Sequence, residues 1–233
     1  MRNVIVGVQG ASAAGKSTLA GRLAAELGGS VVHELAESAD WTPGTVVGLP
    51  SNEQELLANR RMFLDYECRR WARATSLAET RPAVFDTEWI GQLLWGLHDL
   101  EVTHPAWDRR SLAGSILEMY GERAASRALG CCDAIVLLDP SADVVRRQRD
   151  GDTTRMRRNF ERNLRVATLM RPTWGDLQSV LGERLMIAGD CAAFRLPDVA
   201  PWPDQLDPPM AMRVLDAIIS RFRGRDAKRK TVT

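Results

Sequence analysis

Eight residues near the start of the chain, Gly10-Ala11-Ser12-Ala13-Ala14-Gly15-Lys16-Ser17, match G-x-x-x-x-G-K-[ST] at every fixed position. The segment before them, Val4-Ile5-Val6-Gly7-Val8, is an apolar run of strand length. The segment after them, residues 16–27, has the pattern of a helix that Gly28-Gly29 stops. A strand, a glycine loop and a helix in this order leave few folds open. The glycines let the loop curl until successive backbone N–H groups converge on an anion. The following helix turns its positive end toward the same point.

The loop thus predicts a triphosphate site made by Gly10, Ala11, Ser12, Ala13, Ala14, Gly15, Lys16, Ser17 and Thr18. Lys16 is expected to bridge the β- and γ-phosphates as a compact charge, and Ser17 to place its hydroxyl on Mg²⁺. Composition sharpens the expectation for Lys16. Of 31 basic residues only Lys16, Lys228 and Lys230 are lysine. In so arginine-biased a chain, lysine should persist where the planar guanidinium fork cannot do the same work.

The remaining composition excludes several classes. With 233 residues, 26% charged and 45% hydrophobic, the chain suits one globular α/β domain rather than a disordered segment. No apolar stretch approaches the roughly 20 residues of a membrane helix, and the first apolar run is too short for a signal peptide. Cys68, Cys131, Cys132 and Cys191 lack CxxC spacing, which points to a reducing, cytoplasmic compartment. His33, His98 and His104 form no metal-ligand pattern and are expected to pack or lie at the surface. A net charge of +1 gives no footprint for a nucleic-acid binder. The basic residues of 224–233 form a solvated, disordered tail in this reading, outside a domain of residues 1–223.

Strands and helices alternate along the rest of the chain. Strands are expected at 30–33, 83–85, 134–138 and 184–188. Helices are expected at 51–80, 88–97, 111–129, 142–149, 156–170 and 210–222. Ser51 and Gln54 are spaced as a capping box, and Pro172 is expected to end its helix. The alternation implies an α/β fold with a five-stranded parallel sheet flanked by helices on both faces. Residues 36–49, with Pro43, Gly44 and Gly48, look like a loop or lid.

Three further sets of residues stand out. Glu34 follows the second strand, with Glu37 as its rival, and Asp86 follows the third. Asp86 is expected beside Ser17 as a Mg²⁺ ligand or a base, the ordinary alternative being a cap for the helix near Glu88. Arg146, Arg147, Arg149, Arg155, Arg157, Arg158 and Arg162 fall within seventeen residues and suggest an Arg-rich lid over 146–162. Arg149 and Arg155 are the pair chosen to reach the transferred phosphate. Trp41, Phe63, Tyr66 and Trp89 could clamp an aromatic ring, although core packing is the commoner fate of such side chains. Cys131 and Cys132 are expected in or near the core.

Other users of such a loop are excluded by absence. No lysine stands between Lys16 and Lys228 to supply a guanine-reading Asn-Lys-x-Asp segment. No apolar strand ends in the Asp-Glu pair of an AAA-type motor; Asp86-Thr87-Glu88 and Asp139-Pro140 stand there instead.

The order of these motifs resembles the nucleoside and nucleotide kinase branch of P-loop proteins. In outline it is most similar to the ribosylnicotinamide kinase domain and its AAA-like small-molecule kinase relatives. The segments carrying the likeness are the loop, Val84-Phe85-Asp86-Thr87-Glu88, Asp150-Gly151 with Arg157-Arg158-Asn159-Phe160, and Ile187-Ala188-Gly189-Asp190. The Glu-Arg-Ser or Asp-Arg of deoxynucleoside and thymidylate kinases is here Asp86-Thr87-Glu88, and Glu34 is followed by Leu35 rather than proline. The resemblance implies the three-layer P-loop NTPase fold. It also implies an ATP- and Mg²⁺-dependent kinase acting on a hydroxyl of a nucleoside-like acceptor, with Lys16, Asp86, Glu34, Arg149 and Arg155 in catalytic roles. An antibiotic or other natural-product alcohol is the alternative acceptor, and a regulatory ATPase the alternative class. Neither a membrane nor nucleic acid is an expected partner, and a homodimer is compatible with the sequence.

Overall fold

The computed structural model describes residues 2–34, 49–152, 159–201 and 208–230. Five parallel strands lie in the order β2-β3-β1-β4-β5: β1 (Ile5–Gly10), β2 (Ser30–Val32), β3 (Ala83–Asp86), β4 (Ala134–Leu138) and β5 (Leu185–Ala188). Around them pack α1 (Lys16–Glu26), α2 (Glu53–Ala78), α3 (Trp89–Thr103), α4 (Arg109–Ala125), α5 (Ala142–Gly151), α6 (Phe160–Leu181) and α7 (Pro208–Lys230).

Alternation along the buried strands divides the core. Ile5, Phe85, Ile135 and Leu137 face the large cluster filled by α2, α3, α4, α6 and α7. Val6, Val8, Val84, Val136 and Leu138 face the smaller cluster under α1. The result is the three-layer α/β architecture that the alternation of elements implied.

β1 is central, so its tip is flanked on both sides. Val8 pairs with Asp86 of β3, and Gly10 pairs with Leu138 of β4. This register sets Asp86 beside the loop that follows β1.

Several local expectations change. The N-cap of α2 is Asn52, whose side chain accepts from the Glu55 amide at 2.8 Å. Glu55 reaches back to the Ser51 amide and hydroxyl at 2.8 and 2.7 Å, so the capping pair lies one residue beyond Ser51 and Gln54. Pro172 sits inside α6. A helix-interior proline costs about 3 kcal/mol, but the turns beyond it bury Trp174, Leu177 and Leu181 in the large cluster, and that burial outweighs the lost backbone bond. α7 runs to Lys230, past the expected end at 222 and into the segment expected as a disordered tail; Gly224 and Asp226 are the weak helix formers among the added residues.

Candidate active site

Gly15 precedes α1 with φ 89° and ψ 19°, a left-handed conformation that glycine adopts without strain. Ala13 shares that region at φ 69°. These turns aim the loop amides at the space over α1's N-terminus, where no side chain caps the helix. Lys16 Nζ donates to the Ala11 carbonyl at 3.2 Å, which folds the lysine back across the loop mouth.

One cavity of about 560 Å³ opens here. The loop residues Gly10, Ala11, Ser12, Ala13, Gly15, Lys16, Ser17 and Thr18 line one side, whereas Ala14 is buried against the small cluster. Glu34, Thr87, Gln92 and Trp95 line another side, and Asp139, Pro140, Thr168 and Arg171 a third. Arg171 is tied down, with Nε donating to Asp139 Oδ1 at 2.7 Å.

Asp86 is fully buried at this junction. Burial pushes its carboxyl pKa up, aided by the Glu34 charge; the Ser17 hydroxyl, Lys16 and Arg70 oppose the rise. Lys16, Ser17, Glu34 and Asp86, far apart in sequence, therefore act on one another in the fold. Neither carboxyl oxygen of Asp86 has a partner at full hydrogen-bond geometry among the described residues, although the Ser17 hydroxyl is near enough to favour its charge. Nor is Asp86 a helix cap, because Glu88 holds the N-cap position of α3.

The residue after Asp86 is strained. Thr87 has φ 62°, unusual for a β-branched residue. Its amide donates to the Val8 carbonyl at 2.9 Å, and its buried hydroxyl, on the cavity wall, has no partner among the described residues. Strain of this kind collects at functional sites. Beneath it lies Glu88, with its pKa pushed up to about 8 mainly by burial. Gln9, another cavity residue, donates through Nε2 to Glu88 Oε1 at 3.1 Å and to the Glu88 carbonyl at 3.2 Å.

The arginine cluster divides. Arg146 pairs with Asp143 and Glu161, and Arg147 is exposed. Arg149 pairs with Asp150 and Glu161, and its guanidinium lies 4.4 Å from the Phe160 ring centroid. Neither Arg146 nor Arg149 lines the cavity. Arg155, Arg157 and Arg158 lie outside the described residues, as do Glu37 and Trp41. Arg162 turns toward Asp99 and Trp95.

The aromatic expectations shift six residues along α3. Trp89 is 1% exposed and donates to the Gly130 carbonyl at 2.6 Å, so it is core. Tyr66 lies under Arg69, and Phe63 is half-buried away from the cavity wall. Trp95 is the aromatic residue of α3 on the cavity, and nothing local in the sequence separates it from Trp89. His98 is buried against Thr173 at 3.2 Å, and Cys131 and Cys132 are buried as expected. His33 is exposed.

A parallel sheet of this order, with G-x-x-x-x-G-K-S at the tip of its central strand, defines a protein of the P-loop nucleotide-binding class. Residues 5–178 match the family model described as AAA domain, and the chain belongs to that family. Deoxyadenosine kinase from M. mycoides, with products dCMP and a flexible dCDP bound, aligns at a TM-score of 0.55 and 13% identity, over 94% of this chain and 99% of that one. Thymidylate kinase from Candida albicans aligns at 0.58 and 13% identity, over 80% and 83%. The NadR protein in complex with NR aligns at 0.45 and 15% identity, over 93% of this chain and 50% of that one, too distant in shape to build on. No curated protein matches the sequence. The likeness to deoxyadenosine and thymidylate kinases is one of fold. Among the described residues no helix is long and apolar enough to cross a membrane.

Proposed function

We propose that this chain is an ATP- and Mg²⁺-dependent kinase that transfers the γ-phosphate to a hydroxyl of a nucleoside-like small molecule. The observation carrying this reading is that one cavity is lined both by the triphosphate loop and by Glu34, Thr87, Gln92 and Trp95. A hydrolase needs room for the nucleotide and water; this cavity adds a polar and aromatic wall suited to a second substrate.

Lys16 and the loop amides would hold the phosphates and stabilise charge as it builds on the migrating group. Ser17 and Asp86 fit a divalent cation, because a buried carboxylate with free lone pairs beside a hydroxyl is a hard-oxygen donor set. A divalent cation held there would supply charge neutralisation to the triphosphate. Glu34 would take the proton of the acceptor hydroxyl as its oxygen bonds to the γ-phosphorus and the bond to the β-phosphate oxygen breaks. For the arginine-rich segment to act on the transferred group, Arg149 would have to leave Asp150 and Glu161, its partners off the cavity wall. The four cysteines are free thiols, in keeping with a cytoplasmic enzyme.

The test is a screen with γ-labelled ATP across nucleosides, nucleotides, ribosylnicotinamide and natural-product alcohols. Label on a nucleoside-like acceptor supports the reading. Label on natural-product alcohols alone moves the acceptor class, and ATP binding that no acceptor accelerates favours a regulatory ATPase.

A further inference from the structure

Beyond Trp95 the same face of α3 carries Asp99, about one helical turn on. Two arginines from other helices converge there. Arg60 of α2 places Nη2 3.9 Å from Asp99 Oδ2, and Arg162 of α6 places Nε 3.6 Å from Asp99 Oδ1. Both guanidiniums approach the Trp95 ring, at 5.4 and 5.7 Å from its centroid. Arg60 also lies flat on Gly96, where any Cβ would come within 2.9 Å of the guanidinium carbon. The side chains of Arg60, Arg162 and Asp99 are only 12%, 22% and 9% exposed.

Two mostly buried cations thus share one carboxylate, and neither arginine makes a hydrogen bond among the described residues. Arg162 Nε and Asp99 Oδ1 are buried without a hydrogen-bond partner there. Burial lowers the pKa of Arg60, and the charge of Arg162 lowers it further against the pull of Tyr120 and Asp99. Both contacts are at ion-pair distance without reaching a hydrogen bond, which leaves guanidinium N–H groups for another acceptor.

We propose that Arg60 and Arg162 form an oxyanion-binding subsite, so that the acceptor carries a phosphomonoester or carboxylate remote from the hydroxyl that is phosphorylated. The geometry suits this division. The triphosphate has its own loop amides and Lys16, whereas the arginines contact the ring of Trp95, a cavity residue, without lining the cavity themselves. The anion would accept from both guanidiniums and relieve their repulsion, and Asp99 holds them in place meanwhile. Asp99 competes with the ligand for the same donors. This inference rests on the proposed kinase reading for the word acceptor, but the anion subsite is measurable by binding alone.

The experiment compares matched pairs on the full chain by calorimetry and by phosphate transfer: nucleosides against their 3′- and 5′-monophosphates, and hydroxy acids against their amides. One member of a pair should bind at least tenfold tighter when it carries the anion, and the pairs distinguish phosphate from carboxylate. Arg162→Gln and Arg60→Gln should each erase that preference and leave ATP affinity unchanged. Asp99→Asn should widen the preference severalfold, because it removes the competitor; a purely structural cluster would instead only lose stability. Equal binding within every pair, or an unchanged preference in Asp99→Asn and Arg162→Gln, overturns the proposal. Anion-selective binding without transfer would uphold the subsite and sink the kinase reading.

Discussion

Arg70 Nη2 donates to the backbone carbonyl of Asp86 at 2.9 Å, so a side chain of α2 holds the end of β3 in place beside the phosphate loop. The same nitrogen reaches the Thr87 carbonyl at 2.7 Å and the Val32 carbonyl at 3.3 Å, joining the tips of β2 and β3. Arg70 Nη1 meets both oxygens of Glu67 at 2.7 and 2.9 Å, and both residues are buried. Arg70→Met should therefore destabilise the protein by about 3–5 kcal/mol, because it strands the Glu67 carboxylate and frees three carbonyls. Adding Glu67→Gln should recover part of the loss in a urea-denaturation double-mutant cycle; simple additivity of the two changes would refute the coupling.

Asp86→Asn separates catalytic need from stability. The substitution removes a buried carboxyl whose pKa burial raises, so the thermal midpoint at pH 7 should hold or rise. Turnover with Mg²⁺ should nevertheless fall roughly a hundredfold or more. A variant with full Mg²⁺-dependent turnover would move the metal to another carboxylate.

Lys16→Ala should leave the fold intact, since among the described residues the Lys16 ammonium donates only to the Ala11 carbonyl. Its effect should fall on phosphate binding and transfer, with kcat/KM for ATP down on the order of 10²–10³-fold. Nucleotide titration and initial rates decide it, and wild-type values for both would remove the loop from the mechanism.

Glu88 makes folding pH-dependent. Its carboxyl moves from an ordinary 4.5 to about 8 in the folded chain, so the folded state favours the proton. That contribution is complete below pH 4.5 and is lost as pH rises through 8, by up to about 1.4 kcal/mol per pH unit within the window. Glu88→Gln should flatten this slope, so the variant gains on wild type between pH 5.5 and 8.5. Parallel stability curves across that range would show that Glu88 does not titrate as assigned.

What was legible in the sequence was local. The loop from Gly10 to Ser17 and the strand Ala134–Leu138 fall where the motif and the apolar run put them, because each is governed by its immediate neighbours. Asp86 and Glu34 could be singled out because residues that end parallel strands collect at one edge of the sheet. Gln9, Thr87, Trp95 and Arg171 could not, since each reaches the cavity through contacts made far along the chain. Thr87 carried one missed clue, its place directly after a strand-terminal Asp.

By itself the sequence determined a glycine loop between a strand and a helix with the geometry of a phosphate cradle, because a short segment builds that geometry from its own glycines and helix end. It also determined the alternation that makes a parallel sheet. Only the tertiary structure decided which tryptophan of α3 meets the cavity and which one fills the core. It also decided that Arg162, expected in a lid, joins Arg60 and Asp99. The reason is that side-chain partnership depends on how helices α2, α3 and α6 cross. Packing across the whole core sets that crossing, and no local window of residues encodes it.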